Sequence, residues 1–353
     1  MVGTSLTTMG GISAVAKVYK ETGLFRRWGV RYIASHTDTS RLMKIVFALR
    51  SFGTYFYLLL LGRAELVHIH SASRASFWRK SPFVVLARIF RVPCLFHLHG
   101  GGFRTFYYSE CGSLRQWFIR RILLMTSEIV VLSEVWRQSI SRIVPSARVS
   151  VLANPIVAPP EKAHSRDAQR YDVLYLGRVF ESKGIYVLLD AVSRLKESFP
   201  SLKIGCAGDG DLREVALALE RMSLADTVDI LGWVDKNTRD DLLASSSILV
   251  LPSFAEGLPM SVLEAMASAL PVVASAVGGI PDAIESGEQG ILTVPGDVES
   301  LTNALETLLN DPDLRQRMGN AGRDKFLQMF SVDVVIPQLE QIYSRYGVVA
   351  SET

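Results

Sequence analysis

Cysteine is scarce in this 353-residue sequence: Cys94, Cys111 and Cys206 are an odd number, widely spaced, and form no C-x-x-C pair. That excludes the paired thiols that hold structural zinc or run redox chemistry, and a reducing, cytoplasmic compartment is the expectation. The amino end lacks the charged leader, apolar run and small-residue cleavage site of a secretory signal. Long uncharged runs are missing too. The one candidate span, between Lys44 and Arg63, is interrupted by Arg50. Its uncharged remainder, residues 51–62, has the length of a buried core helix rather than a membrane-crossing one. No G-x-G-x-x-G follows an expected strand, which excludes a dinucleotide oxidoreductase. His99-Gly100-Gly101-Gly102 matches the oxyanion-hole sequence of some lipases and esterases, yet the G-x-S-x-G elbow such enzymes need is absent. Without a zinc finger, a helix-turn-helix pattern or an aromatic and basic recognition motif, nucleic acid is not an expected partner.

What is present is apolar material: 48% hydrophobic residues against 21% charged ones, enough for a sizeable core. The length suits two domains. The net charge of +3 hides a division. Residues 1–155 carry 21 Lys and Arg against 6 Asp and Glu, a net +15, whereas residues 156–353 carry 17 against 29, a net −12. The first half is therefore expected to face something anionic, such as the inner membrane surface or a polyprenyl-diphosphate-linked acceptor.

Short apolar runs rich in β-branched residues alternate with amphipathic stretches of helical length, the pattern of α/β architecture with parallel sheets covered by helices. Strands are expected at residues 30–35, 65–70, 93–99, 128–132 and 149–153, then at 172–177, 202–207, 228–231, 248–252 and 272–276. The proline-containing polar segment at residues 156–170 reads as a linker. The expected organisation is a Rossmann-like domain over residues 1–155, the linker, a second Rossmann-like domain over residues 171–331, and a terminal helix in residues 332–353 that can pack back on the first domain.

In open parallel sheets ligands bind beyond the carboxyl ends of the strands, where loops and unpaired helix N–H groups converge. His99 to Gly102, Gly177-Arg178, Gly208-Asp209-Gly210, Gly232, residues 253–259 and Gly278-Gly279 all fall on that edge. Arg178 and Lys183, with Gly184, stand where a strand gives way to a helix, an arrangement suited to a diphosphate. Two surface cations beside a turn are the plain alternative. Glu256 and Glu264 have seven residues between them, with Pro259 suited to the first helical turn. Glu264 is the only charge in an otherwise apolar helix and needs a partner, either a ribose diol or a buried arginine. Gly10-Gly11, before a helix expected over residues 13–23, lets backbone approach a ligand. His97 and His99 flank Leu98 and are expected to point to opposite faces, with His99 the functional one because the glycines adjoin it. Ser73, Arg79 and Lys80 could touch a lipid-diphosphate acceptor, or simply begin a basic helix. Asp209-Gly210-Asp211 resembles a metal-binding D-x-D but is satisfied by a turn and a helix start.

Taken in order, these segments resemble glycosyltransferase family 4, the retaining enzymes of GT-B fold, over nearly the whole chain. The resemblance implies two Rossmann-like domains facing across a cleft, and transfer of a sugar from a UDP- or GDP-sugar (GDP-mannose among them) with no cofactor and no metal. The acceptor would be lipid-linked or a saccharide, as in bacterial exopolysaccharide, capsule or lipopolysaccharide synthesis at the inner face of the cytoplasmic membrane. It also implies that Arg178 and Lys183 hold the donor diphosphate, Glu264 the ribose, and Glu256 with Gly257, Leu258 and Pro259 the sugar and phosphates. His99 would sit beside the transferred sugar, Gly10 and Gly11 near the phosphates, and Gly232 on the donor side. A related sugar-nucleotide epimerase, or a non-catalytic nucleotide-sugar-binding protein, would share these features. The family has a full apolar strand before the double glycine, whereas only Met1 and Val2 precede Gly3 here. The first strand is therefore very short or the start lies late. Asp282 stands where a Glu commonly follows the Gly-Gly-x-Pro sequence.

Overall fold

The computed structural model describes residues 1–8, 10–37, 40–159 and 169–350, and of Arg41 and Leu42 the backbone alone. The chain divides into two compact units, Met1–Pro155 with Val332–Thr353, and Ile156–Ser331. Most of the expected linker, residues 160–168, lies outside the described residues, as does Met9.

The first unit holds β1 (Val2–Gly3), β2 (Ile33–Ala34), β3 (Val67–Ser71), β4 (Cys94–Leu98), β5 (Glu128–Val131) and β6 (Val149–Val151). These six parallel strands lie in the order β2-β1-β3-β4-β5-β6. Its helices are α1 (Gly11–Glu21), α2 (Leu24–Arg27), α3 (Arg41–Leu60), α4 (Ala75–Ile89), α5 (Phe103–Ser109), α6 (Ser113–Leu124) and α7 (Glu134–Ile143).

The second unit holds β7 (Tyr171–Leu176), β8 (Ile204–Ala207), β9 (Val228–Gly232), β10 (Ser246–Leu251), β11 (Val272–Ser275) and β12 (Gly290–Thr293). Their order is β12-β11-β10-β7-β8-β9, again parallel throughout. The helices here are α8 (Ile185–Ser198), α9 (Leu212–Arg221), α10 (Lys236–Ala244), α11 (Met260–Ala267), α12 (Ile280–Ala283), α13 (Val298–Asn310) and α14 (Pro312–Met329). The terminal helix α15 (Val332–Ser344) belongs to the first unit. Strand β12 has no counterpart among the sequence expectations, because four residues after a turn, two buried and two half-buried, carry little periodic signal.

The second sheet is apolar on both faces. Val173 to Leu176 and Ile248 to Leu251 are consecutive buried residues, as expected of strands covered by helices on both sides. The first sheet alternates instead. Val67, Ile69, Cys94, Phe96, Ile129 and Val131 turn to one face and form the main core with Phe77, Phe83, Phe103 and Ile119 from α4, α5 and α6. The other face carries His68, His70 and His97, all buried. Helix α15 lies over that face: Tyr343 Oη meets His68 Nδ1 at 2.8 Å, and Tyr346 Oη donates to Glu128 at 2.8 Å. Arg345 pairs with the fully buried Glu128 at 3.2 Å, and Glu340 accepts from Arg27 and Trp28.

One expectation is overturned in this unit. The run read as a buried core helix is part of the 20-residue α3, and only 22% of its segment Met43–Leu60 is buried. Among the described side chains of α3, only Ser51, Tyr55 and Leu59, four residues apart, turn fully inward. Hydropathy and length do not say which face of a helix is packed.

Helix beginnings sort the molecule further. Helices α7, α10, α13 and α14 are capped by the side chains of Ser133, Asp235, Asp297 and Asp311. Helices α1–α6, α8, α9, α11 and α12 begin with no side-chain cap, and in α1, α8 and α11, which start after Gly10, Gly184 and Pro259, this leaves first-turn N–H groups for another acceptor.

Candidate active site

In the second unit the chain order reverses between β7 and β10. Strands β8 and β9 extend to one side of β7, and β10, β11 and β12 to the other. Loops leaving adjacent strands at such a reversal diverge and open a crevice at the carboxyl edge. Gly177-Arg178 follows β7, and the loop containing Glu256 follows β10.

These two loops are held together by close backbone approach. Gly184 has φ +74°, and a Cβ there would stand 1.9 Å from the carbonyl oxygen of Pro252. Only glycine therefore lets the start of α8 reach the β10 loop. Gly278 plays the same part on the other flank: with φ +58°, its Cβ would lie 1.9 Å from the carbonyl oxygen of Glu256. The N–H of Gly279 then donates to the Gly257 carbonyl at 2.6 Å.

Within this frame Lys183 Nζ meets Glu256 Oε1 at 2.6 Å, and Ser253 Oγ donates to the same oxygen at 2.8 Å. The pair is largely buried, 26% and 11% exposed, so the ammonium is fixed rather than left to sweep solvent. Arg178 is more open. Its Nε stands 3.3 Å from Asp209 Oδ1 and its guanidinium lies 4.6 Å from the centroid of Phe180. Stacking on one side and a carboxylate at one nitrogen leave the other N–H groups for an anion. The loop after β8 joins the group through Val179, whose N–H donates to the Asp209 carbonyl at 2.7 Å. Gly232, at the end of β9, accepts from the Gly208 N–H at 2.7 Å.

Glu264 sits on α11 and pairs with Arg239 of α10 at 3.2 Å. Burial raises its pKa above the ordinary carboxylate range, and Arg239 opposes that rise. Of the two partners considered for Glu264, an arginine is therefore present in the fold. Pro259 is the N-cap residue of α11 and not part of its first turn. Gly257 and Leu258 lie in the same loop, with Leu258 buried.

In the first unit the reversal falls between β1 and β3. The loop after β1 leads to Gly10, with φ +140°, and Gly11, the first residue of α1. The loop after β3 carries Ser73, and a Cβ on Gly102 would approach Ser73 Oγ at 3.4 Å. Ser73 thus lies against the glycine turn that follows His99. Arg79 is exposed, but Lys80 is not: it is fully buried and its Nζ has no hydrogen-bond partner among the described residues. Burial, with Arg79 beside it, pushes the Lys80 pKa down to about 7. Its charge also lowers the pKa of His70 and His99, which sets Lys80 beside those two histidines.

His97 and His99 need a second correction. They do not point to opposite faces; their ring centroids are 4.0 Å apart. Side chains alternate with period two, so residues i and i+2 share a face. The parallel register sets His70 opposite His97 and brings in the histidines of β3. His70 Nδ1 meets His99 Nε2 at 2.7 Å, and His68 Nε2 meets His97 Nδ1 at 3.2 Å. Burial holds His68, His70 and His97 well below the usual imidazole range and lowers His99 to about 3, although a hydrogen bond with Asn154 opposes that fall. All four rings are neutral at pH 7. His68, His70 and His97 each bring a ring nitrogen within 4.8 Å of the others. Ligation of an ion through His68 would break one of its two existing hydrogen bonds. Sequence reasoning missed His68 and His70, although the alternation in Val67-His68-Ile69-His70 was a signal for them. It also left Ser253 and Arg239 unassigned, and nothing local marks either one.

Comparison with known proteins gives the family of the chain. Residues 160–325 match the family described as glycosyl transferases group 1, and residues 15–155 match the glycosyl transferase 4-like domain. The chain belongs to the family-4 type of GT-B glycosyltransferases. It is 26% identical over 306 residues to the alpha-D-kanosaminyltransferase of Streptomyces kanamyceticus, covering 81% of this chain and 78% of that one. It is 30% identical over 256 residues to the alpha-maltose-1-phosphate synthase of Mycobacterium tuberculosis, covering 65% and 66%. Among solved structures it is similar to Anabaena Alr3699/HepE in complex with UDP-glucose, at 18% identity and TM-score 0.76 over 98% of this chain and 99% of that one. The sucrose-phosphate synthase of Thermosynechococcus elongatus matches at 22% identity and TM-score 0.75, covering 88% and 80%. The protein is a glycosyltransferase.

Proposed function

We propose that this glycosyltransferase takes its sugar from a UDP- or GDP-sugar and passes it, with retained anomeric configuration and without a metal, to a lipid-linked or saccharide acceptor of bacterial surface polysaccharide synthesis. The observation that carries the reading is the placing of Lys183 and Arg178 at the β7/β10 reversal beside the uncapped starts of α8 and α11. Two cations and unpaired N–H groups suit a diphosphate. Solved structures of similar fold that hold UDP or UDP-glucose favour uridine among the candidate nucleosides.

In this reading the acceptor hydroxyl oxygen bonds to the anomeric carbon as the bond from that carbon to the β-phosphate oxygen breaks. The bonding pair leaves with the nucleoside diphosphate, and the hydroxyl proton passes to the departing phosphate oxygen on the same face. Arg178 and Lys183 lower the barrier by stabilising the charge that accumulates on the diphosphate. Glu256, which holds Lys183, also contacts the sugar with Gly257, Leu258 and Pro259. Glu264 holds the ribose, Gly232 lies on the donor side, and Gly10 and Gly11 approach the phosphates. His99, neutral and hydrogen-bonded to His70, contacts the transferred sugar. Ser73 and Arg79 belong to acceptor binding, and the basic first unit holds the enzyme at the anionic cytoplasmic face of the membrane.

A thermal-shift panel of UDP, GDP and ADP tests the donor class, since a ligand of the native state raises apparent stability by mass action. Selective stabilisation by UDP or GDP that disappears in Lys183→Ala is the expected result. Absence of stabilisation by any nucleoside diphosphate sinks the reading.

A further inference from the structure

Helix α3 presents a surface that water alone does not explain. Val46, Leu49, Phe56 and Leu60 recur at helical spacing along its outward side, and Leu49 and Leu60 are 67% and 60% exposed. The helix is not available to cross a bilayer. Ser51 Oγ donates to the Ala34 carbonyl at 2.6 Å and Tyr55 Oη to the Phe83 carbonyl at 2.8 Å, so its inner side is tied to the fold. Tied on one side and apolar on the other, it has the form of a helix that lies in an interface.

The helices beside it extend that surface. Helix α4 packs against both α3 and α6, which makes the three one layer over the apolar face of the first sheet. On α6, Leu114, Trp117 and Phe118 are exposed, and the Arg121 guanidinium lies 5.3 Å from the Trp117 ring centroid. Aromatic rings next to arginine suit the headgroup level of a bilayer, where one end of the side chain is apolar and the other is wet.

Charge selects the occupant. Helices α3, α4, α5 and α6 contain no acidic residue. Residues 41–127 hold thirteen Lys and Arg against Glu65 and Glu110, and Glu110 is already paired with Arg74. A second copy docking through the same face would bring two such fields together. An anionic lipid surface would neutralise them.

We infer that the outer face of the α3–α4–α6 layer inserts into an anionic phospholipid monolayer, with α3 lying in the plane of the interface and its Val46–Leu60 stripe at the acyl boundary. The inference deepens the membrane location proposed above by naming the inserting element. Arginines of α4 and α6 meet the phosphates while the α3 stripe and Trp117 enter the hydrocarbon edge.

The test uses the full chain with vesicles of phosphatidylcholine alone and of phosphatidylcholine with phosphatidylglycerol. Co-sedimentation is read in low and high salt, and fluorescence quenching by brominated acyl chains is compared between the natural protein and Trp117→Phe. The expected result is binding to the anionic vesicles that persists in part at high salt, with quenching that falls in Trp117→Phe. Leu49→Gln with Leu60→Gln should weaken that salt-resistant binding by about tenfold or more, because two apolar side chains leave the acyl boundary. UDP stabilisation is measured in the same proteins. Its retention in a variant that no longer binds vesicles shows a folded chain, and its absence from the natural protein counts against the donor reading alone. Lack of binding to anionic vesicles overturns the inference. So does binding that high salt abolishes and brominated chains never quench, and so does a self-association that Leu49→Gln with Leu60→Gln dissolves. Quenching in the natural protein decides the matter even where the double variant fails to fold.

Discussion

The two units share one architecture, six parallel strands with a chain reversal, yet they differ in nearly everything a partner would meet. The second unit is acidic, its sheet is apolar on both faces, and its carboxyl edge gathers Arg178, Lys183, Glu256 and Glu264. The first is basic, buries histidines on one face of its sheet, and exposes eight large apolar side chains between Met43 and Leu61 alone. The fold supplies the frame, and the edge loops and outer surfaces supply the function.

That contrast can be broken from the donor side first. Lys183→Ala should lower kcat/KM by roughly two to three orders of magnitude while the protein stays folded, the range seen when one group stabilising transition-state charge is lost. Near-normal transfer would remove Lys183 from the site. Glycines sharpen the comparison next. Gly184→Ala forces a left-handed side chain to within 1.9 Å of a backbone oxygen and should cost about 2 kcal/mol or more. At Gly11 a Cβ would meet nothing within 4 Å, so Gly11→Ala should change stability by no more than about 0.5 kcal/mol. Urea unfolding compares the two, and equal losses would show that the second unit is not the tightly threaded one.

Acid should strike the first unit. The folded pKa of His99 is lowered to about 3 and those of His68, His70 and His97 also fall, so below about pH 6.5 the unfolded chain takes up protons that the folded chain refuses. The stability is complete above that pH and is lost progressively as pH falls toward 3. For His99 alone the loss between pH 7.5 and pH 5 is about 2 kcal/mol. The only histidine of residues 156–331 is His164, so hydrogen exchange at pH 5 should show the first unit opening before the second. Uniform opening would contradict this. A smaller effect than that of acid belongs to Ser253→Ala, which removes one hydrogen bond to Glu256 and should cost about 1 kcal/mol in chemical denaturation. A loss several times larger would mean that Ser253 organises the whole loop.

Much of the fold is legible because buried parallel strands are written as short β-branched runs, and ten of the twelve strands fall on such runs. The site was legible where local chemistry is unusual: cations and glycines between a strand and a helix, or a lone carboxylate in an apolar helix. Arg239 was not legible as the partner of Glu264, because the two stand on different helices. The histidine faces were legible and misread. Period-two alternation alone places His97 and His99 together, and only the register against β3 remained to be found.

The sequence by itself determined the alternating elements, the charge division and the glycines that let loops approach, because each depends on local conformation or simple composition. Tertiary structure decided which faces were covered: it buried Lys80, left the outer side of α3 exposed, and drew Lys183 to Glu256 across 73 residues of chain. Helix periodicity defines faces, but which face meets the core depends on the neighbours that arrive there.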